Sequence, residues 1–205
     1  MGDAYSLPSC VGWGFPMRRL LSVALIGAAC LAPVSALAQA AAGDEIDPAT
    51  LDLAKLIECR TYDVPSYNAL AFWLVGDEAA QARAHFGLTE EKTDNFMLKA
   101  YALKAPITVF GRQTRHIVFS SSGPMAVLDE ADPHPLARQL EILPAIDLPA
   151  KFLGEREISA TTDKGQAGGF TYKTRVTLNV STVTSHPGKT LAGCSYTFEM
   201  IENGQ

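Results

Sequence analysis

The sequence predicts an α+β domain in which N-terminal helices pack on a C-terminal antiparallel β-sheet. Two observations carry that reading. Up to about residue 103, apolar side chains recur at helical spacing behind capping residues. From residue 107 onward the period shortens to two, and Gly and Pro separate the segments.

Asp47-Pro48 reads as an N-cap followed by a first-turn proline. It opens a helix carrying Leu53, Leu56, Ile57 and Cys59-Arg60, which ends before Pro65. A second helix starts at Ser66, with Leu70, Phe72, Trp73, Leu74 and Val75 as a strongly apolar face before Gly76-Asp77. A shorter third covers Glu78 to Phe86. Thr89 caps a fourth: Glu90 and Glu91 suit the positive end of a helix dipole, and Phe96, Met97, Ala100, Tyr101 and Leu103 follow at helical spacing.

After Pro106, residues 107–110 and 116–119 read as a hairpin around Gly111-Arg112-Gln113, and 125–128 as a third short strand. Residues 129–149, with Pro133, Pro135, Pro144 and Pro149, read as a loop holding one helical turn at 136–143. A strand covers 152–162. The clearest alternation is at the end, where Phe170, Tyr172, Val176, Leu178 and Val180 alternate with polar residues. Cys194, Tyr196, Phe198 and Met200 do the same. Such strands keep one face on a core and one face wet.

Upstream, Met17 is followed by Arg18-Arg19 and an apolar run, Leu20 to Leu31, too short for the roughly 20 residues a bilayer span needs. Pro33 then breaks the run, and Ala36-Leu37-Ala38 and Ala38-Gln39-Ala40 fit the small-x-small rule of a signal peptidase. Residues 17–40 are therefore expected to be a signal peptide, with residues 1–16 an extension upstream of the working start. Residues 41–205 are expected to form one domain exported to the periplasm. Cys30 raises lipid anchoring as an alternative, but Gly27 stands where that signal wants Leu, Val or Ile.

Loss of residues 1–40 removes Asp3, Arg18 and Arg19. The 17 basic and 22 acidic residues become 15 and 21, a net charge of −6. That balance argues against nucleic acid or anionic lipid as the main partner. The two remaining cysteines, Cys59 and Cys194, are expected to pair in an oxidising compartment and tie the first helix to the last strand.

Catalytic chemistry finds little support. Gly188-Lys189-Thr190 suggests a phosphate loop, but Val183 stands where that motif needs glycine. Asp129, Glu130, Asp132 and His134 could ligate a metal, yet Pro133 and Pro135 make a solvated acidic loop the better account. Ser120-Ser121-Ser122-Gly123, with His116 as a base, lacks the turn that presents a serine nucleophile. Glu155 and Glu157 share one strand face in near-identical settings, so nothing separates their acidities. No catalytic, metal or cofactor residue is assigned.

A binder is the expectation that remains, and loops on a rigid scaffold are where binding residues concentrate. One candidate tip comprises Asp163, Lys164, Gly165, Gln166, Gly168 and Gly169. A second, at the opposite end of the sheet, carries His186 and Lys189. The proline-rich 129–149 segment is a third surface. In size, export and architecture the chain resembles bacterial periplasmic inhibitors and immunity proteins. The resemblance implies a protein partner, such as an envelope-acting toxin or hydrolase, and carries over no functional residue. One alternative is a small apolar ligand or lipid held between Phe72, Trp73, Phe96, Tyr101 and the sheet. Others are an enzyme with an unrecognised site, and an assembly role in which strands 125–128 or 190–201 pair with a second copy.

Overall fold

The computed structural model describes residues 46–164 and 170–202. Eight strands form a single antiparallel sheet: β1 (Leu88–Glu91), β2 (Lys99–Val109), β3 (Arg112–Phe119), β4 (Pro124–Leu128), β5 (Leu143–Leu148), β6 (Lys151–Lys164), β7 (Phe170–Ser181) and β8 (Thr190–Glu202). Their spatial order is β1-β2-β3-β4-β8-β7-β6-β5. Two four-stranded meanders thus meet where β4 pairs with β8, Met125 opposite Gly193 and Leu128 opposite Thr190.

The N-terminal segment is built from capped pieces. Asp47 accepts from the Ala49 amide and opens a short 3-10 turn, Pro48–Thr50. Leu51 is extended, so the single helix expected here is interrupted, and Asp52 caps a new start by accepting from the Ala54 and Lys55 amides. That start is α1 (Leu53–Ile57). Asp63 caps α2 (Val64–Val75) through the Ser66 amide and hydroxyl, with Pro65 in the first turn. α3 (Ala79–Phe86) ends at Gly87 in the left-handed conformation. These helices bury Leu56, Ile57, Tyr67 and Leu70 in the main core with Tyr101, Ile117, Val176, Leu178 and Cys194 from the sheet. α4 (His134–Gln139) lies on the β4-to-β5 connection and adds Leu136 and Ala137 to the same core.

The class is mixed α+β, mostly sheet; the first three helices precede all strands, but the change from helix to strand comes near residue 87, earlier than expected, and α4 lies among the strands. The fourth helix expected from Thr89 is two strands, β1 and the start of β2. Strand β2 is buried on both faces there: Tyr101 and Leu103 join the main core, and Ala100 joins a smaller cluster on the other face. Burial on both sides erases the alternation that marks a strand, and pairing with β3 outweighs local propensity. Strand β5 falls in the segment expected to be a loop. Pro144 is tolerated because β5 is the sheet's edge, where a missing N–H leaves no ladder bond unmade. Strands 125–128 and 190–201, expected as edges, are the adjoining central strands β4 and β8.

The bridge between Cys59 and Cys194 is present, with Cα atoms 5.2 Å apart across a sequence separation of 135. It joins the turn after α1 to β8.

Candidate functional site

Of the loop residues expected to bind, Asp163 and Lys164 end β6, exposed, opposite Tyr172 and Thr171. Gly165, Gln166, Gly168 and Gly169 lie outside the described residues. His186 and Lys189 sit in the β7–β8 connection. The register sets the two tips apart: Ser181 pairs with Leu191 at one end and Phe170 with Glu202 at the other. Twelve residues of strand separate them by roughly 35 Å.

Beyond the helices, β6, β7 and β8 continue as a three-stranded projection. Tyr172 stacks on Phe198 with ring centroids 5.5 Å apart, and Met200 lies directly opposite Tyr172. These side chains fall on the face that holds Val176, Tyr196 and Cys194 nearer the core, because successive residues on a strand alternate faces. The apolar face therefore runs on past its helical cover, leaving Phe198 and Met200 exposed.

The larger apolar exposure is on α2 and the loop before β2. Phe72 is 74% exposed, Val75 72%, Phe96 96% and Met97 65%. They rim an open groove of about 480 Å³ whose walls include Tyr67, Tyr101 and Phe119. The sequence pattern suggested that Phe72 and Val75 share the buried face of α2 with Leu70 and Leu74, but they point outward. Trp73 lies elsewhere, packed against His85 and Phe86 with centroids 5.6 and 5.8 Å away. Tyr101 is buried.

The charged constellations resolve into local pairs. His134 donates or accepts through both ring nitrogens, Nδ1 2.5 Å from Asp132 Oδ1 and Nε2 3.0 Å from Asp147 Oδ1. Hydrogen bonds to Asp132 and Asp147 raise the His134 pKa from its ordinary 6.5, and bonds from His134 hold Asp132 below the usual carboxylate range. Glu130 accepts from Arg112 at 2.6 Å, and Asp129 pairs with Lys189. Among the described residues no three His, Cys, Asp or Glu side chains are grouped to hold a metal ion.

Arg175 bridges Glu155 and Glu157 at 2.8 and 2.9 Å, a partner that lies 18 residues or more away in sequence and so was invisible in the local pattern. His116 Nδ1 bonds Glu91 Oε2 at 2.9 Å. The serines bond one another and the sheet: Ser120 to Ser122, Ser122 to Ser195, and Ser195 to Asn179. Gly123 is explained by packing, since a Cβ there would stand 1.8 Å from the Cys194 carbonyl oxygen. The Gly188-Lys189-Thr190 stretch is a turn, with Gly188 at φ +70°, leading into β8.

No helix among the described residues is long and apolar enough to cross a membrane. No family model, no curated protein and no solved structure matches this chain.

Proposed function

We propose that this chain is an exported periplasmic protein that binds a protein partner, acting as an inhibitor or immunity protein against an envelope-acting toxin or hydrolase. The observation that supports this reading best is the outward display of Phe72, Val75, Phe96 and Met97 around one groove. Covering apolar surface gains about 25 cal/mol per Å², and large aromatic side chains at the centre of a docking face supply most of the energy of association. A second exposed apolar pair, Phe198 and Met200, stands on the projection.

A site for a small apolar ligand encloses most of that ligand's surface. Phe96, 96% exposed, projects into solvent rather than closing a cavity, which favours a macromolecular partner over the lipid alternative. The leader-like residues 17–40 and the Cys59–Cys194 bridge support export.

The test uses the full chain as bait against envelope extract, beside a Phe72→Ser/Phe96→Ser double variant with an unchanged circular dichroism spectrum. The expected result is one stoichiometric partner, inhibited on binding, that the double variant fails to hold. A partner held equally by the variant, or one equivalent of extractable lipid in the purified protein, would overturn the reading.

A further inference from the structure

The outer edge of β6 is only partly covered. Strand β5 pairs with it from Lys151 to Glu155, and Leu143, the first residue of β5, stands opposite Glu155. On its inner side β6 pairs with β7 as far as Lys164. Among the described residues no strand lies against the outer side of residues 156–164, so the N–H and C=O groups that turn outward there have no ladder partner. Residues 157–164 are exposed.

Arg156 stands where that free edge begins. It pairs with Leu178 and shares its face, the one the helices cover, whereas Glu155 and Glu157 pair with Asn179 and Thr177 on the opposite face. Arg175 holds both glutamates there, so neither neutralises Arg156. None of the five N–H groups of the Arg156 guanidinium meets an acceptor among the described residues, and Nε is buried. A buried N–H left without an acceptor is unfavourable, and a carboxylate offers a guanidinium two acceptors side by side.

We propose that the free edge of β6 receives the C-terminal tail of a partner protein as an added strand, with its terminal carboxylate on Arg156. The charge decides the direction. A strand laid along residues 156–164 meets the start of β5 at Leu143 and must end there or turn away. Running antiparallel to β6, it brings a C-terminus to Arg156. Running parallel, it brings an N-terminal ammonium, which Arg156 repels. The register of β6 with β7 is regular from Ser159 to Lys164, which gives the tail a straight stretch to pair with, and the irregularity between Glu157 and Ser159 marks where pairing stops. Backbone hydrogen bonds supply the affinity in such strand addition, and the carboxylate fixes the register.

This edge shares neither Phe72 nor Phe96 with the proposed partner surface, so either proposal can fail alone. The test is amide NMR of the full chain titrated with acetyl-Thr-Gln-Thr-Val-Ser-Val, as the free acid and as the C-terminal amide. The free acid is expected to shift the amides of residues 156–164 and to bind about tenfold more tightly than the amide, the scale of a charge-assisted hydrogen bond. Arg156→Met, with an unchanged circular dichroism spectrum, should make the two forms bind equally. Phe72→Ser/Phe96→Ser should bind the free acid as wild type does. Equal binding of acid and amide to wild type, no binding at millimolar concentration, or shifts confined to residues outside β6 overturns the proposal. A chain that sediments as a dimer, with the amides of residues 156–164 protected from exchange, would assign the edge to a second copy and overturn it as well.

Discussion

Tyr67 of α2 stacks on Tyr196 of β8, ring centroids 5.2 Å apart and planes 14° from parallel, and each hydroxyl donates to a backbone carbonyl of a different element. Tyr67 reaches Ser120 at 3.0 Å, and Tyr196 reaches Leu56 at 2.8 Å. The pair so joins α1, α2, the β3–β4 turn and β8. Burial pushes the Tyr67 phenol up to about 12 and the Tyr196 phenol higher still, so both stay protonated donors at neutral pH. Tyr196→Phe keeps the stack and removes the shorter of the two hydrogen bonds to the Leu56 carbonyl, which still accepts from the Cys59 amide at 3.2 Å. It should cost about 1–2 kcal/mol in urea unfolding, and a loss below a few tenths would show that water replaces the hydroxyl.

The Cys59–Cys194 bridge closes most of the domain into one loop, so its removal should act chiefly on the unfolded chain. Cys59→Ala with Cys194→Ala is expected to lower stability by up to about 5 kcal/mol in the chain-entropy account. The readout is the urea midpoint of the double variant against oxidised wild type. Matching midpoints would mean that the bridge does not form in the purified protein.

Two glycines should respond differently to the same change. Gly123→Ala drives a methyl group into the Cys194 carbonyl, where backbone must move, and should cost about 3 kcal/mol or prevent folding. At Gly111 a Cβ meets open space, and only the φ of +77° opposes it. Gly111→Ala should cost about 1 kcal/mol, read as a smaller fall in melting temperature. The reverse ranking would contradict the close β4–β8 approach.

His134 links the start of α4 to β5 through Asp132 and Asp147. Its pKa is raised, so its stabilising contribution is complete below 6.5 and is lost as pH rises through the folded value. The Asp132 pKa is lowered from 3.8, so its contribution is present above 3.8 and is lost as pH falls through the folded value. The melting-temperature gap between wild type and His134→Gln should therefore be widest between about pH 4 and 6.5 and narrow above neutrality. A gap that does not vary from pH 5 to 9 would dissociate His134 from this linkage.

Much of the fold was legible where a single rule acts alone. Asp47 marks a helical start through a local hydrogen bond, the stretch read as a helix to Phe86 ends where α3 does, and the polar–apolar alternation of β7 and β8 follows the strand period, whereas the second helix starts at Val64 behind an Asp63 cap rather than at Ser66. Legibility failed where two environments overlap. Ala100, Tyr101 and Leu103 look helical because both faces of β2 are covered, and Pro144 hid an edge strand.

The sequence by itself determined the cysteine pair, the mixed α+β class and the hairpin turns, because each depends on residue type and short spacing. Only the tertiary structure decided that β4 and β8 are central, that Arg175 stands between Glu155 and Glu157, and which aromatic side chains remain exposed. Those outcomes depend on which distant strand lies alongside. Phe72 and Leu70 occupy the same apolar run, and only the position of the sheet against α2 sends Leu70 into the core and Phe72 into water.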